Sequence, residues 1–187
     1  MGTGTILLII IVVVAVLAIL AYNSLVSLRQ RVKQSIADID VQMKQRHDLI
    51  PNLVETVKGY AAHERGTLDE VVKARAAAIS APSGSPQQAQ AEQALSGALG
   101  RLIAISEAYP DLKANQNFLE LQQQLSDIEG KIAAARRFYN GAVSEYNAGI
   151  QAFPAVLFAR SFGFSPETFF DLGEERSQVA QAPSVKF

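Results

Sequence analysis

The chain has no cysteine, no tryptophan and only two histidines. Without cysteine there is no disulfide, no thiolate zinc site and no thiol nucleophile, so thiols carry no information about the redox compartment. Neither sign of charge is in excess: 17 basic residues stand against 18 acidic ones, which removes any general attraction to nucleic acid. Aromatic residues make up 7% of the chain, and alternation with a period of two persists nowhere, which argues against β-sheet. No glycine-rich loop of the phosphate-cradling kind occurs. Neither His47 nor His63 has a glutamate three residues before it, so the Glu-x-x-His pattern of di-iron bundles is missing. No serine, histidine and acid stand out as a catalytic set. These absences leave no catalytic, cofactor-binding or metal-ligating residue to nominate.

What is there begins with a hydrophobic run. Ile6 to Ala21 is apolar throughout. With its flanks it covers about 20 residues, which at about 1.5 Å each matches a hydrocarbon core of about 30 Å. Tyr22 follows where an interfacial aromatic belongs. A cleaved signal peptide would need a basic segment before Ile6 and a small-residue cleavage site after it, and neither is present. Arg29, Arg31 and Lys33 come just after the run, ahead of the first acid, Asp38. The positive-inside rule then puts the N-terminus outside and the following domain in the cytoplasm.

Helical periodicity dominates the rest. Leu121, Leu125, Ile128, Ile132, Ala135, Tyr139, Ala142, Tyr146, Gly149 and Phe153 step by four and three without a fault, which is a heptad seam. Asn117 with Glu120 reads as the cap near its start, and Pro154 ends or kinks it. A second seam runs through Ala91, Leu95, Ala98, Leu102, Ile105 and Tyr109 until Pro110. The segment 110–115 connects the two, and Ala81 to Pro86 is the clearest loop. Upstream, Leu25, Leu28, Val32, Ile36, Ile39 and Met43 share a face that continues through Ile50, Leu53, Val57 and Tyr60. Pro51 marks either a kink in one long helix or a turn between two. A third option breaks at Gly66, where Thr67 and Glu70 form a capping-box signature. The expected fold is all-α: a transmembrane anchor over 1–22, an antiparallel up-and-down bundle of about four long helices over 23–153, the first two of which could be one kinked helix, and a tail over 154–187. Six of the nine phenylalanines lie between Phe153 and Phe170, and Ser165-Pro166-Glu167 looks like the start of a short helix in that tail. Residues after Asp171 read as loose.

Several features have a plain reading and a functional one. The mixed charges Asp38, Asp40, Lys44, Arg46 and Asp48, with His47 among them, read most simply as a solvated helix face. The functional alternative is a partner surface. His63 and Glu64 read as a surface or capping pair. Tyr139-Asn140 and Tyr146-Asn147 lie one heptad apart, which places the tyrosines on a core stripe with the asparagines beside them; an asparagine could fix register, and a ligand site is the minority reading. The phenylalanine-rich tail caps the open end of the bundle, lies in the membrane interface, or offers a protein-binding patch. If the fourth helix returns to the membrane, Phe153, Phe158 and Phe162 lie near lipid; if Pro51 only kinks a long helix, the tail points away.

The segments Tyr22-Asn23-Ser24-Leu25-Val26 and Ile39 to Glu64, with Asp48-Leu49-Ile50-Pro51-Asn52-Leu53-Val54 at the centre of the second, resemble the LemA family of bacterial membrane proteins. So does Arg136 to Asn147, followed by Phe153-Pro154 and Gly163-Phe164. The resemblance spans nearly the whole chain after the anchor. It implies a helical bundle in the cytoplasm behind one span of the bacterial inner membrane. Some relatives belong to magnetosome membrane organelles, which points toward membrane organisation. The family brings no established catalytic residues.

The functional expectation is a non-enzymatic scaffold that contacts membrane lipid, forms a homo-oligomer, and organises or remodels the membrane. The alternative is an adaptor or sensor that recruits an unidentified partner protein. An enzyme would require a buried polar pocket among Asp38, Asp48, Asn52, His63 and Glu64. The residues nominated for interaction are Asp48, Pro51, Asn52, His63 and Glu64, together with Phe153, Phe158, Phe162 and Phe164.

Overall fold

The computed structural model describes residues 2–170, and every regular element among them is helical. Helix α1 runs from Thr3 to Tyr60 without a break, carrying Pro51 inside it. The candidate turn at Pro51 is therefore not made. Proline has no N–H to donate, so the carbonyl four residues back, on His47, loses its helical partner. Arg75 Nε from the next helix donates to that carbonyl at 2.7 Å. The interruption in α1 thus becomes a docking point instead of a hinge.

The first reversal comes at residues 61–64, after which α2 spans Arg65–Ser80. Gly66, Thr67 and Glu70 lie within its first turns, so the capping box does not form; Glu64 holds the N-cap position and makes no side-chain cap. The loop at 81–85 follows as expected. It turns on Gly84, whose φ of 70° is a conformation that favours glycine. Helix α3 spans Pro86–Ile105, with Pro86 in its first turn and the Ser85 hydroxyl accepting from the Gln88 amide. A short 3-10 turn at Ser106–Ala108 and a one-turn helix α4 at Pro110–Lys113 lead to α5, Gln116–Gln151. The cap of α5 is Asn115, whose side chain accepts from the Phe118 amide at 2.9 Å. Asn117 and Glu120, the expected cap, lie inside the helix.

The bundle is up-and-down: α1 rises from the apolar end, α2 descends, α3 rises, and α5 returns along α1. Heptads pair the two long helices. Leu25, Val32, Ile39 and Leu53 on α1, and Phe118, Leu125, Ile132, Tyr139 and Tyr146 on α5, are all buried and recur every seven residues, with Arg46 occupying the one remaining step on α1. The α1 side chains seat directly on Gly149 of α5, where an added Cβ would come within 2.8 Å of Leu28 Cδ1. The α5 seam stops at Gln151, so Phe153, expected as its last member, is 78% exposed. Along α3 and the 3-10 turn after it the buried face is turned slightly from the expected one: Gln88, Glu92, Leu99 and Ser106 go inside with Leu95, Ala98 and Leu102, while Ala91, Ile105 and Tyr109 are half-buried at its margin.

The core has two parts. The far part gathers Ile50, Leu53, Val57, Val71, Leu95, Leu102 and Phe118 from all four long helices. The near part gathers Leu25, Val32, Ile39, Ile132, Tyr139 and Tyr146 from α1 and α5, with Ala155, Ala159 and Phe164 of the tail. At the N-terminal end, Ile6 to Leu17 are exposed on every side. That stretch has the length and hydropathy to cross a membrane, with a mean hydropathy of 3.3 over its best window.

Candidate functional site

Two constellations stand out, and the first lies midway along the bundle. Arg46 falls on the α1 seam between Met43 and Ile50, where an apolar side chain is expected; it is 1% exposed. Its guanidinium donates to the Glu92 carboxylate on α3, to Ser96 Oγ at 3.1 Å and to Glu129 Oε1 on α5 at 2.5 Å. His47 Nε2 meets the other Glu92 oxygen at 2.9 Å. Four side chains from three helices thus share one charge network, with the Arg75–His47 bond fastening α2 beside it. Burial by itself pushes the Glu92 carboxyl up; the His47 hydrogen bond and the Arg46 charge outweigh it and hold the group below the usual carboxylate range. Chemically this is a clasp. Both terminal nitrogens of Arg46 are paired while its Nε is buried without a partner, and the clasp joins α1, α3 and α5 at one level.

The expectation of a solvated face over Asp38 to Asp48 is therefore corrected at Arg46 and His47, which are buried, while Asp38, Lys44 and Asp48 are exposed. The seam needs an inward residue at 46 to keep its step, and only arginine was there to fill it.

The second constellation is the tail. No helix starts at Ser165-Pro166-Glu167; residues 164–170 are non-helical and lie along α5. Asn147 Nδ2 donates to the Glu167 carbonyl at 2.9 Å, and its Oδ1 accepts from the Glu167 amide at 2.9 Å. Asn140 repeats the pattern on Phe170, donating at 3.2 Å and accepting at 2.8 Å. One heptad of helix rises about 10 Å, close to the length of three extended residues, so the two clamps are in register with the segment they hold. Between them the Tyr139 hydroxyl donates to the Thr168 carbonyl at 2.8 Å. The Phe170 ring stands edge-on to Tyr139 with the Arg136 guanidinium 4.8 Å above its centre. Both tyrosines are core residues, and burial raises their hydroxyl pKa values. The asparagines bind the chain's own tail.

The other nominated residues are spread out. Asp48 is exposed, and a hydrogen bond from Lys44 at 2.6 Å holds its carboxyl below the usual range. Pro51, Asn52 and His63 are exposed, and Glu64, half-buried, accepts from the Tyr109 hydroxyl at 3.2 Å. Asp38, Asp48, Asn52, His63 and Glu64 are strung along the outside of α1 and its turn and enclose no pocket. Phe158 and Phe164 pack inward. Phe162 remains 62% exposed although its ring stacks edge-on against Tyr22 and Phe158 at 5.5 and 5.9 Å. The tail thus returns to the apolar end of α1, contrary to the expectation that an unbroken α1 would point it away; the turn at 61–64 supplies the missing reversal. Residues after 170 lie outside the described residues, so the reading of 171–187 as loose is not addressed. An open groove of about 700 Å³ separates α3 from α5, lined by Ser96, Gly100 and Ile103 on one side and Gln122, Ser126 and Ala133 on the other.

With that geometry in hand, the similarities fall into one family. The LemA family profile matches residues 35–187. Magnetosome proteins MamQ 2 and MamQ 1 of Paramagnetospirillum magneticum are each 27% identical over 177 residues, covering 81% of this chain. Protein LemA of Metamycoplasma hominis is 24% identical over 158 residues, covering 84% of this chain and 72% of its own length. The chain spans 65% of the length of the MamQ relatives it matches.

Proposed function

The chain belongs to the LemA family, and from its architecture we propose that it is a membrane-anchored, non-enzymatic scaffold that self-associates and organises the membrane carrying it. The observation that carries this reading is the continuity of α1. No linker separates the apolar segment from the bundle. From Tyr22 to Tyr60 the helix extends about 57 Å at about 1.5 Å per residue, so each copy is a stiff post that turns and tilts with its span. Posts confined to one membrane meet at high effective concentration, and weak lateral contacts between them add up. Arg29, Arg31 and Lys33 beside the span favour a cytoplasmic bundle on the bacterial inner membrane. The names of the magnetosome relatives are in keeping with a role tied to an organelle. The reading is tested by placing single cysteines at exposed α5 positions and crosslinking the full chain in native membranes. Ladders of dimers and higher species are expected; monomers alone at every position contradict it.

The groove between α3 and α5 favours a second reading, an adaptor that recruits another protein. Affinity isolation returning one stoichiometric foreign partner, with no crosslinks between copies, selects it.

A further inference from the structure

The stretch after α5 leaves one feature unexplained by the bundle. Ala155, Ala159 and Phe164 turn inward against Leu25 and its neighbours. Phe153, Val156, Leu157 and Phe162 turn outward, and Phe153 and Leu157 are 78% and 73% exposed. Large side chains this open, four within ten residues, are unusual for a surface facing water. Their position resolves the difficulty. Phe162 stacks on Tyr22, the residue at which the apolar run of α1 ends. The last turn of α5 packs against Leu25 and Leu28, a single turn further along α1. The outward face therefore adjoins the emerging span and continues its lipid-exposed surface sideways. Arg160 is exposed in the same stretch, a cation beside the outward apolar side chains.

We infer that Phe153, Val156, Leu157 and Phe162 form a second membrane-contact site, seated in the interface between headgroups and acyl chains of the bilayer that α1 crosses. The site works with the span as a foot works with a post. It fixes the tilt and rotation of the bundle, which a single helix crossing leaves free. Its occupant is lipid, since the patch is contiguous with the end of the apolar run of α1. The inference needs α1 to span a membrane but does not need copies to associate, so it can fail while the scaffold reading stands.

The chain has no tryptophan, so single reporters are clean. The full chain is reconstituted into phosphatidylcholine–phosphatidylglycerol vesicles as Phe153→Trp, Leu157→Trp and, as a reference on α2 far from the anchor, Val72→Trp. The expected result is blue-shifted emission for the first two, loss of that emission with lipids brominated high on the acyl chain, and protection from aqueous acrylamide, with none of these for the reference. Emission and acrylamide quenching at Phe153→Trp and Leu157→Trp equal to the reference overturn the inference. So does a blue shift that disappears when the protein is diluted into excess lipid, which identifies a second copy as the cover.

Discussion

The far and near halves of the bundle cover their cores by different means. In the far half side chains from all four long helices meet in one cluster, with an open groove left between α3 and α5. In the near half α2 and α3 have run out: they are 16 and 20 residues long, against 36 for α5. The α1–α5 pair would stand bare there if the tail did not fold back over it. Starting beside Tyr22, the tail climbs to Phe170, where it meets the α2–α3 loop in a small cavity of about 30 Å³ that Gly84 and Gln88 also line. A helix covers its neighbour by burying a stripe and satisfies its own backbone. The tail has no internal ladder, so α5 must satisfy it, and the two asparagine amides do so. The charge clasp of Arg46, Glu92 and Glu129 stands at the boundary between the halves.

The largest expected effect is at that boundary. Removing one partner from a buried ion pair strands the other, so Glu92→Ala costs about 3–5 kcal/mol, while Arg46→Met with Glu92→Leu together returns most of the loss. Thermal unfolding of the two variants and the unmodified chain in detergent measures both. If the single and double variants melt alike, the network contributes nothing as a charge pair. The same group gives a pH dependence. The folded-state pKa of Glu92 is lowered, so its contribution is present above the unfolded value of about 4.3 and is lost as pH falls through the lower folded value. The acid limb of stability against pH flattens in Glu92→Gln.

A smaller effect separates the halves directly. Asn140→Ala or Asn147→Ala each removes a pair of hydrogen bonds to the tail, at about 1 kcal/mol per bond. Hydrogen exchange is expected to quicken at Glu167 and Phe170 while the amides of α2 and α3 keep their protection. Uniform quickening across both halves would mean that the tail and the far core open together. Smallest of all is Arg31→Ala. The Arg31–Glu145 pair at 2.5 Å is solvent-exposed on both sides, and its loss shifts stability by less than about 1 kcal/mol.

The seams of the long helices were legible because a stripe repeated every seven residues survives any uncertainty about ends. Arg46 was legible in principle: the steps from Met43 to Ile50 leave a place at 46, and a charged residue there has to find partners. Glu92 was not, because Ala91 satisfies the same period and the buried face of α3 is turned only slightly from it. Proline at 51 reads as a breaker from local sterics alone, whereas the bond from Arg75 that makes it tolerable comes from a residue far along the chain. The spacing of Asn140 and Asn147 announced a stripe. It could not announce the partner, since an extended segment such as 167–170 carries no period to match.

In the proposed arrangement one stiff helix joins bilayer and bundle. With no native cysteine to remove, spin labels at Ser24→Cys and Gly59→Cys, both exposed on α1, can be attached to the full chain in lipid nanodiscs. An unbroken helix gives a single narrow distance distribution near 53 Å, from about 1.5 Å per residue. A broad distribution, or one centred well below that distance, would place a hinge at Pro51 and contradict it.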